Sequence, residues 1–451
     1  VHQAAEGAKP FPPGDYPLVV VGSGPGAIQV SYCLSRHGIP HAVLSQDEAP
    51  AGMFRRWPVF QRLLSSTKPY APAERGTAAY ERYDWNSLLA DEAAHRSLQT
   101  EFMDGSSYFP SRPEMERNLV AFAERTGVRV RYGCRWTGTR QVDGPDGRSF
   151  VLQTSDGEYR AGTLVIAVGI SEPHTPPVRG AELTAHYADV TDAQAYAGRR
   201  VFIIGKQNSG FELANGFLPW ASRIVLASPS PTRLSVNTRS LVGVRARYVQ
   251  PYEDHALGGG VTVLDAAIQG VERVDGDRSL TVRVRPSDGG DEIAIEVDDV
   301  IAATGFVCPL GDLPTLGVST FGQARLPAQT PFWESTTVPG LFFAGTISQG
   351  SVGLKKHGLP SNSGAVHGAR YNARVLARRI AVTRFGVHAQ AAQIPARSLV
   401  AFCLGEIAGC PELWHQKAYL ARVVTADPSS GIRDEGIEPL AHLLDSGVPD
   451  A

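Results

Sequence analysis

Leu18-Val19-Val20-Val21-Gly22-Ser23-Gly24-Pro25-Gly26-Ala27 is the stretch whose reading decides the fold. Its four apolar, mostly β-branched residues suit a parallel strand buried on both faces. After the Gly-x-Gly-x-x-Ala turn, Ala27, Ile28, Val30 and Leu34 mark the apolar face of a helix that Gly38 stops. A strand running through such a turn into a helix aims unpaired N–H groups and the positive end of the helix dipole at one spot, which favours a phosphate. Gly22 permits the tight turn, Gly24 leaves room for a pyrophosphate, and Ala27 stands where helix packs on strand. With Ser23, Pro25 and Gly26 these residues form a predicted dinucleotide cradle.

Outward from this turn, Ile39 to Leu44 reads as the second strand. A carboxylate for a ribose hydroxyl is expected about 20 residues after the turn. That slot falls near Ser45 and Gln46, either of which can hydrogen-bond a ribose, with Asp47 and Glu48 just beyond. The same order of signals recurs later. Residues 200–204 form a buried strand, Gly205-Lys206-Gln207-Asn208-Ser209-Gly210 a turn, and a helix follows up to Pro219. Gln207 replaces the middle glycine, so this turn is either a differently shaped nucleotide site or a repeat that has lost its ligand. Arg223, Ser228 and Arg233 flank the next strand, where a 2′-phosphate would sit. Each copy closes on a short strand ending in glycine: residues 163–169 in the first, and 298–306 with Thr304-Gly305 in the second. The turn dipeptides Asp146-Gly147, Asp156-Gly157, Asp275-Gly276 and Asp288-Gly289 mark hairpins.

The expected architecture is α/β, with two Rossmann-like domains. Residues 1–175 and 307–384 form one dinucleotide-binding domain, 176–306 a second inserted into it, and 385–451 a mostly helical extension. A helix is expected over roughly Gly364 to Ile380. Lys and Arg total 43 against 45 Asp and Glu, a net charge of −2 over 451 residues, so no global field recruits nucleic acid or an anionic membrane. The five cysteines contain no Cys-x-x-Cys pair, which disfavours a disulfide scaffold, a zinc site and a dithiol redox centre. No apolar run reaches the roughly 18 residues of a membrane span, and a cytoplasmic setting is expected.

In these residues the chain resembles the two-dinucleotide-binding-domain flavoproteins, and most closely their flavin-containing monooxygenase, Baeyer–Villiger and N-hydroxylase branch. Gly22-x-Gly24-x-x-Ala27 resembles the FAD turn, and Ala51-Gly52-Met53-Phe54 the family's GGxW segment. Tyr108-Phe109-Pro110-Ser111-Arg112 is similar to its Pro-Ser-Arg stretch, and Gly205–Gly210 to the nicotinamide turn. Ala303-Thr304-Gly305-Phe306 resembles the ATG strand, and Gly340–Gly345 the returning flavin strand. The resemblance implies FAD contacts from Gly52, Met53, Phe54, Gly169, Gly345 and Thr346 as well. Three departures accompany it. Thr346 stands where related reductases carry an Asp. Gly180 and His186 are separated by five intervening residues rather than three. Ser65-Ser66-Thr67 occupies the place of an Asn near the flavin.

The resemblance implies FAD and NADPH, or NADH, as cofactors, with no metal. It implies a monooxygenase that consumes NAD(P)H and oxygen and oxygenates a small organic metabolite through a C4a-hydroperoxyflavin, by N-hydroxylation, heteroatom oxidation or Baeyer–Villiger chemistry. The alternatives are an NAD(P)H-dependent flavoprotein reductase without a Cys-x-x-Cys, and a flavin-binding protein without turnover. A homodimer is compatible with either enzyme. Catalytic residues are not identified. Lys355 and His357, in a Gly- and Ser-rich loop, either donate hydrogen bonds near the flavin ring or are solvated and locally packed. The aromatic segment Phe54 to Trp85 is either a substrate lid or plain packing.

Overall fold

The computed structural model describes the whole chain except residues 1–8, 57–61, 145–146, 239–242, 246, 250–259, 275–277, 311–312, 350–360, 362, 389–390, 417 and 447–451. The opening apolar run is the C-terminal half of a strand, Gly14–Val21. It pairs in parallel with Ala42–Leu44 on one side and Gly157–Ile166 on the other. Side chains alternate as a strand requires: Leu18 and Val20 enter one apolar cluster, Val19 and Val21 the other, and all four are buried. Strand Gly157–Ile166 changes partners along its length. Its first half pairs antiparallel with Gly147–Thr154, and its second half in parallel with Leu341–Phe343, which returns from far along the chain.

A second sheet is built the same way. Strands run in the order Ile293–Val297, Leu280–Pro286, Val261–Arg273, Arg223–Ser228, Arg200–Ile204, Asp299–Ala302 and Ala185–His186. Its central strand again feeds both faces, Val201 and Ile203 to one cluster, Phe202 and Ile204 to the other. The chain crosses between the sheets twice. Glu172–Pro173 on the way out pairs antiparallel with Phe306–Val307 on the way back. Prolines that bar a regular element thus leave a short extended crossing. Helix Val366–Phe385 is longer than its sequence pattern suggests, because Gly386 in the left-handed conformation, rather than any earlier residue, ends it.

The segment after residue 385 is mixed rather than mostly helical. Helices Leu399–Gly409, Pro411–His415 and Leu440–Asp445 accompany a three-stranded antiparallel sheet of Ala392–Ile394, Leu420–Asp427 and Gly431–Pro439. Its hairpin turns at Asp427, whose Oδ1 accepts from the backbone N–H of Ser429 (2.8 Å) and Ser430 (2.9 Å). The β-branched run Val423-Val424-Thr425 is the signal for it.

This segment docks on the first domain through rings. His415 stacks on Tyr371 at 5.7 Å, meets Trp85 edge-on at 5.8 Å and lies 5.2 Å from His367. Burial, then the charge of Arg370, lowers His415 to about 3; burial, then His415 and Arg370, takes His367 well below the usual range. A histidine held neutral in the fold protonates first in the unfolded chain, so its contribution to stability is present above about pH 6.5 and is lost as pH falls toward the folded value. Glu81 in the same cluster, raised by burial, works in the opposite sense. The difference between wild type and His415→Gln isolates the histidine, since Gln can still donate to the Glu81 carbonyl that lies 3.2 Å from His415 Nε2. Urea unfolding at pH 7, 6 and 5 should show the variant's stability falling less steeply, the difference approaching about 1.4 kcal/mol per pH unit below pH 6; parallel slopes would contradict this account.

Candidate functional site

Both glycine turns rest on one device. Gly22 (φ +126°) and Gly205 (φ +117°) end their strands in a region that favours glycine, and a Cβ on either would run into a neighbouring carbonyl. The Gly22 Cβ would lie 2.4 Å from the oxygen of Ala167, and the Gly205 Cβ 2.6 Å from that of Ala303. Those alanines hold matching places in the two closing strands, before Gly169 and Gly305. Neither following helix, Pro25–Arg36 nor Asn208–Phe217, receives a side-chain hydrogen bond from its N-cap residue, Gly24 or Gln207. Each N-terminus therefore keeps N–H groups suited to a phosphate.

The first turn gathers nearly every residue predicted for it. A Cβ on Gly24 would meet nothing within 4 Å, so the missing side chain leaves open space, the shape that a pyrophosphate fills. Pro25 begins the helix, and Gly26 and Ala27 are buried beneath it. A Cβ on Gly26 would sit 2.5 Å from the Cα of Gly345, so the returning strand is pressed against the helix N-terminus. Gly52 lies over Gly24, its would-be Cβ 3.1 Å from the Gly24 Cα, and Ala51 N–H donates to the Ser23 carbonyl at 3.2 Å. Met53 is half-buried and Phe54 buried in the same short helix, Gly52–Arg55. Thr346 Oγ1 lies 3.3 Å from the Cβ position of Gly169.

The ribose slot departs from expectation. Ser45 is buried, Gln46 exposed and Asp47 half-buried in the bend that follows the strand. Ser23 Oγ donates to Asp47 Oδ2 at 2.9 Å, Ser45 Oγ donates to Ser23 Oγ at 2.9 Å, and Arg56 holds the other carboxylate oxygen at 2.7 Å. The carboxylate beside the turn is thus Asp47, two residues past Ser45. Glu48 is exposed. The residues present fit an adenine dinucleotide.

The second turn is tighter than its sequence suggests. Gln207 is extended and exposed. A Cβ on Gly210 would lie 2.3 Å from the carbonyl of Gly205. Lys206 does not reach a ligand through its ammonium. The side chain is fully buried, and Nζ donates to the Leu264 carbonyl at 3.0 Å and pairs with Asp265, because a buried cation takes the nearest acceptors. Asn208 and Ser209 open the helix, and Asn208 Oδ1 accepts from the N–H of Arg245 at 3.4 Å. Arg233 is exposed. Thr304 Oγ1 donates to the His174 carbonyl, and the Gly305 carbonyl accepts from His174 N–H, so these two residues also tie the crossing segments together.

Several contributors carried no spacing signal. Arg245, half-buried beside the second turn, is lowered by burial and by the charge of Arg247. Arg247 joins the two domains: it donates to the carbonyls of Arg62 (3.1 Å) and Leu63 (2.9 Å) and lies over the ring of Phe109 at 4.1 Å. Ser111 of the Pro-Ser-Arg stretch caps helix Arg112–Arg125 in a reciprocal box with Glu114. Ser65 and Thr67 belong to a buried network in which Thr67 Oγ1 donates to Asp84 Oδ1 and Asn86 Nδ2 to Thr67 Oγ1, both at 2.9 Å. Of the aromatic segment, Tyr80 is buried packing and Tyr70 is 89% exposed; Trp57 and Phe60 lie outside the described residues, as do Lys355 and His357. No His/Cys/Asp/Glu cluster among the described residues could hold a metal, and no helix among them is long and apolar enough to cross a membrane.

Two mixed-sheet units, each opening on a strand, a glycine turn and a helix and joined by paired crossings, define a two-dinucleotide-binding-domain oxidoreductase. The chain belongs to the pyridine nucleotide-disulphide oxidoreductase family, which matches it over residues 19–345. It is 28% identical to mouse FAD-dependent oxidoreductase domain-containing protein 2 over 90% of its own length, and spans 64% of that relative's length. Bacillithiol disulfide reductase from Staphylococcus aureus superposes with a TM-score of 0.64 at 15% identity, over 82% of this chain and 98% of that one. Flavin-containing monooxygenase from Stenotrophomonas maltophilia does so at 0.60 and 20%, over 82% and 98%. At these identities the two structures speak for the fold alone.

The contact of Gly26 with Gly345 makes a direct prediction. Gly26→Ala should cost about 1–3 kcal/mol, the range for overpacking a tight site, read as a lower urea midpoint. Gly138→Ala, at a strand position with nothing within 4 Å, should leave the midpoint unchanged.

Proposed function

We propose that this protein is an FAD-dependent monooxygenase that consumes NADPH and oxygen and oxygenates a small organic metabolite. FAD, when bound, supplies the acceptor for the nicotinamide hydride and the reaction with oxygen. In this reading the Gly22–Ala27 turn and its helix hold the FAD pyrophosphate, and Asp47 with Ser45 takes the adenosine ribose. The Gly205–Gly210 turn holds the nicotinamide dinucleotide through backbone N–H groups, with Arg233 and Arg245 placed for the 2′-phosphate of NADPH. The balance is NADPH, a proton, oxygen and substrate going to NADP⁺, water and the oxygenated product.

The observation that carries the choice is the state of the thiols. Cys33, Cys134, Cys308 and Cys410 are buried, and burial raises each of them: Cys33 to about 11, Cys308 and Cys410 to about 12, and Cys134 above its usual value. A thiol held protonated is a poor nucleophile and a poor electron relay. Cys403 is exposed, but it lies on helix Leu399–Gly409, outside both turns. The chain thus presents no dithiol to which the flavin could pass electrons, which speaks against an internal disulfide relay and supports oxygen as the acceptor. A native-state thiol titration at pH 8 should accordingly find one rapidly reacting cysteine, lost in Cys403→Ser; two or more fast thiols would favour a disulfide reductase.

The reaction itself is tested with NADPH, oxygen and a panel of amines, thioethers and ketones. Oxygen uptake equal to NADPH oxidation, with peroxide release falling when a substrate is present, supports the reading. NADPH oxidation that needs a small disulfide or a quinone and takes up no oxygen replaces it with the reductase. Asp47→Ala should weaken FAD binding about 10- to 100-fold, the loss of a charge-assisted acceptor, measured by recovery of flavin fluorescence.

A further inference from the structure

Helix Asn208–Phe217, which opens at the second glycine turn, carries a polar row. Asn208, Glu212 and Asn215 stand at the i, i+4, i+7 spacing of one helix face. Each holds part of the stretch from Gly243 to Tyr248. Asn208 Nδ2 donates to the Gly243 carbonyl at 3.3 Å, and its Oδ1 accepts from Arg245 N–H at 3.4 Å. Asn215 Nδ2 donates to the Tyr248 carbonyl at 2.7 Å. Glu212 is buried, and its carboxylate accepts from the hydroxyls of Tyr187 at 2.6 Å and Tyr248 at 3.0 Å. Burial, then the charge of Glu212, raises both tyrosines, so each keeps the proton it donates.

The stretch so held reaches the first domain through Arg247. Its Nη2, which donates to the carbonyls of Arg62 and Leu63, also donates to the Tyr248 hydroxyl at 2.6 Å, and the guanidinium lies between the rings of Phe109 (4.1 Å) and Tyr248 (4.6 Å). A planar fork of donors that also stacks on rings suits such a seat, whereas an ammonium does not. The receiving segment is itself fixed. Leu63 N–H donates to the Pro110 carbonyl and Thr67 N–H to the Tyr108 carbonyl, both at 2.8 Å. Arg112, at the end of that stretch, donates to the Arg55 carbonyl at 3.4 Å, in the short helix that lies over the first glycine turn. Contacts therefore run unbroken from the helix of the second turn, through Glu212, Tyr248 and Arg247, to the cradle of the first. The two neighbouring crossings alone would leave the domains free to turn about them; a contact elsewhere removes that freedom.

We propose that Arg247 is a positioning residue for hydride transfer, the strap that fixes the angle between the nicotinamide turn and the flavin cradle. The inference rests on the reading that both turns bind dinucleotides, and it holds whichever acceptor the flavin then serves. The step concerned moves a hydride from NADPH to FAD, leaving NADP⁺ and, with a proton from solvent, reduced FAD. Spin labels at Glu124→Cys and Ser222→Cys, both exposed and one on each domain, report the angle by double electron–electron resonance in a Cys403→Ser background. The distance distribution should be narrow with or without NADP⁺, and Arg247→Ala should broaden or shift it. In anaerobic stopped flow of the FAD-loaded protein, the same variant should lower the limiting rate of flavin reduction by NADPH about 10- to 100-fold, the size that misplaced reactants carry. Its dissociation constant for NADPH and its FAD content should hold. Arg247→Lys should recover little of the rate. Tyr248→Phe, which keeps the ring and removes the link to Glu212, should fall between wild type and Arg247→Ala, and it carries the same test if the latter does not fold. An unchanged distance distribution or an unchanged limiting rate overturns the proposal. So does a rate loss matched by a weaker NADPH dissociation constant, which would make Arg247 a ligand instead. A wild-type flavin that neither NADPH nor NADH reduces overturns the underlying reading and the role in hydride transfer with it, while the distances still decide whether the strap exists.

Discussion

The backbone of Gly26 lies against the backbone of Gly345, and the first domain is organised around that contact. The helix N-terminus that faces the phosphate site and the strand that returns after the inserted domain meet with no side chain between them. Any Cβ on Gly26 would enter the space of the Gly345 Cα. The contact couples residues more than 300 positions apart, so the cradle is complete only when the chain has left for the second domain and come back. The paired crossings Glu172–Pro173 and Phe306–Val307 serve the same end, fixing exit and return side by side. Such non-local closure is entropically costly, and broad burial of the two sheets' apolar residues offsets it.

Near-neutral net charge takes on a specific meaning in this setting. The ligands proposed here are anionic dinucleotides, yet the chain carries no excess of positive charge. The attraction comes from fixed dipoles instead, two helix N-termini without side-chain caps, each aimed by a strand and a glycine turn. At the edge of the second turn burial, and then the charge of nearby Arg247, lowers Arg245. An anion near them would relieve that repulsion.

The duplicated strand–turn–helix order was legible in the sequence because it rests on local rules: β-branched runs, glycines where a carbonyl approaches, and a proline at the first turn of a helix. The features missed are those decided by tertiary neighbours. Asp47 reads as a solvated loop residue until its position two places beyond Ser45 brings it against Ser23. Lys206 reads as a phosphate ligand until the adjoining strand supplies Leu264 and Asp265 as partners. Arg247 has no local signature, since its partners at residues 62, 63 and 109 belong to the other domain. The C-terminal sheet went unread because its strands are separated by helices and its longest, Gly431–Pro439, carries charged residues and glycines rather than a clear alternation.

Gln207 sharpens the comparison between the two turns. A side chain at the middle position would crowd a pyrophosphate only if the backbone aimed it inward. Here the residue is extended, with φ −111° and ψ −162°, and exposed. The positions that admit no side chain are Gly205 and Gly210, each of which presses on a carbonyl oxygen, and both are glycine. The middle glycine of the fingerprint governs how closely a phosphate approaches, whereas the flanking two govern whether the turn forms at all. Losing the former while keeping the latter leaves a formed turn with a shallower seat. Affinity there must lean on groups outside the turn, and the half-buried Arg245, anchored through its N–H to Asn208 in the helix's first turn, stands where such a group is needed.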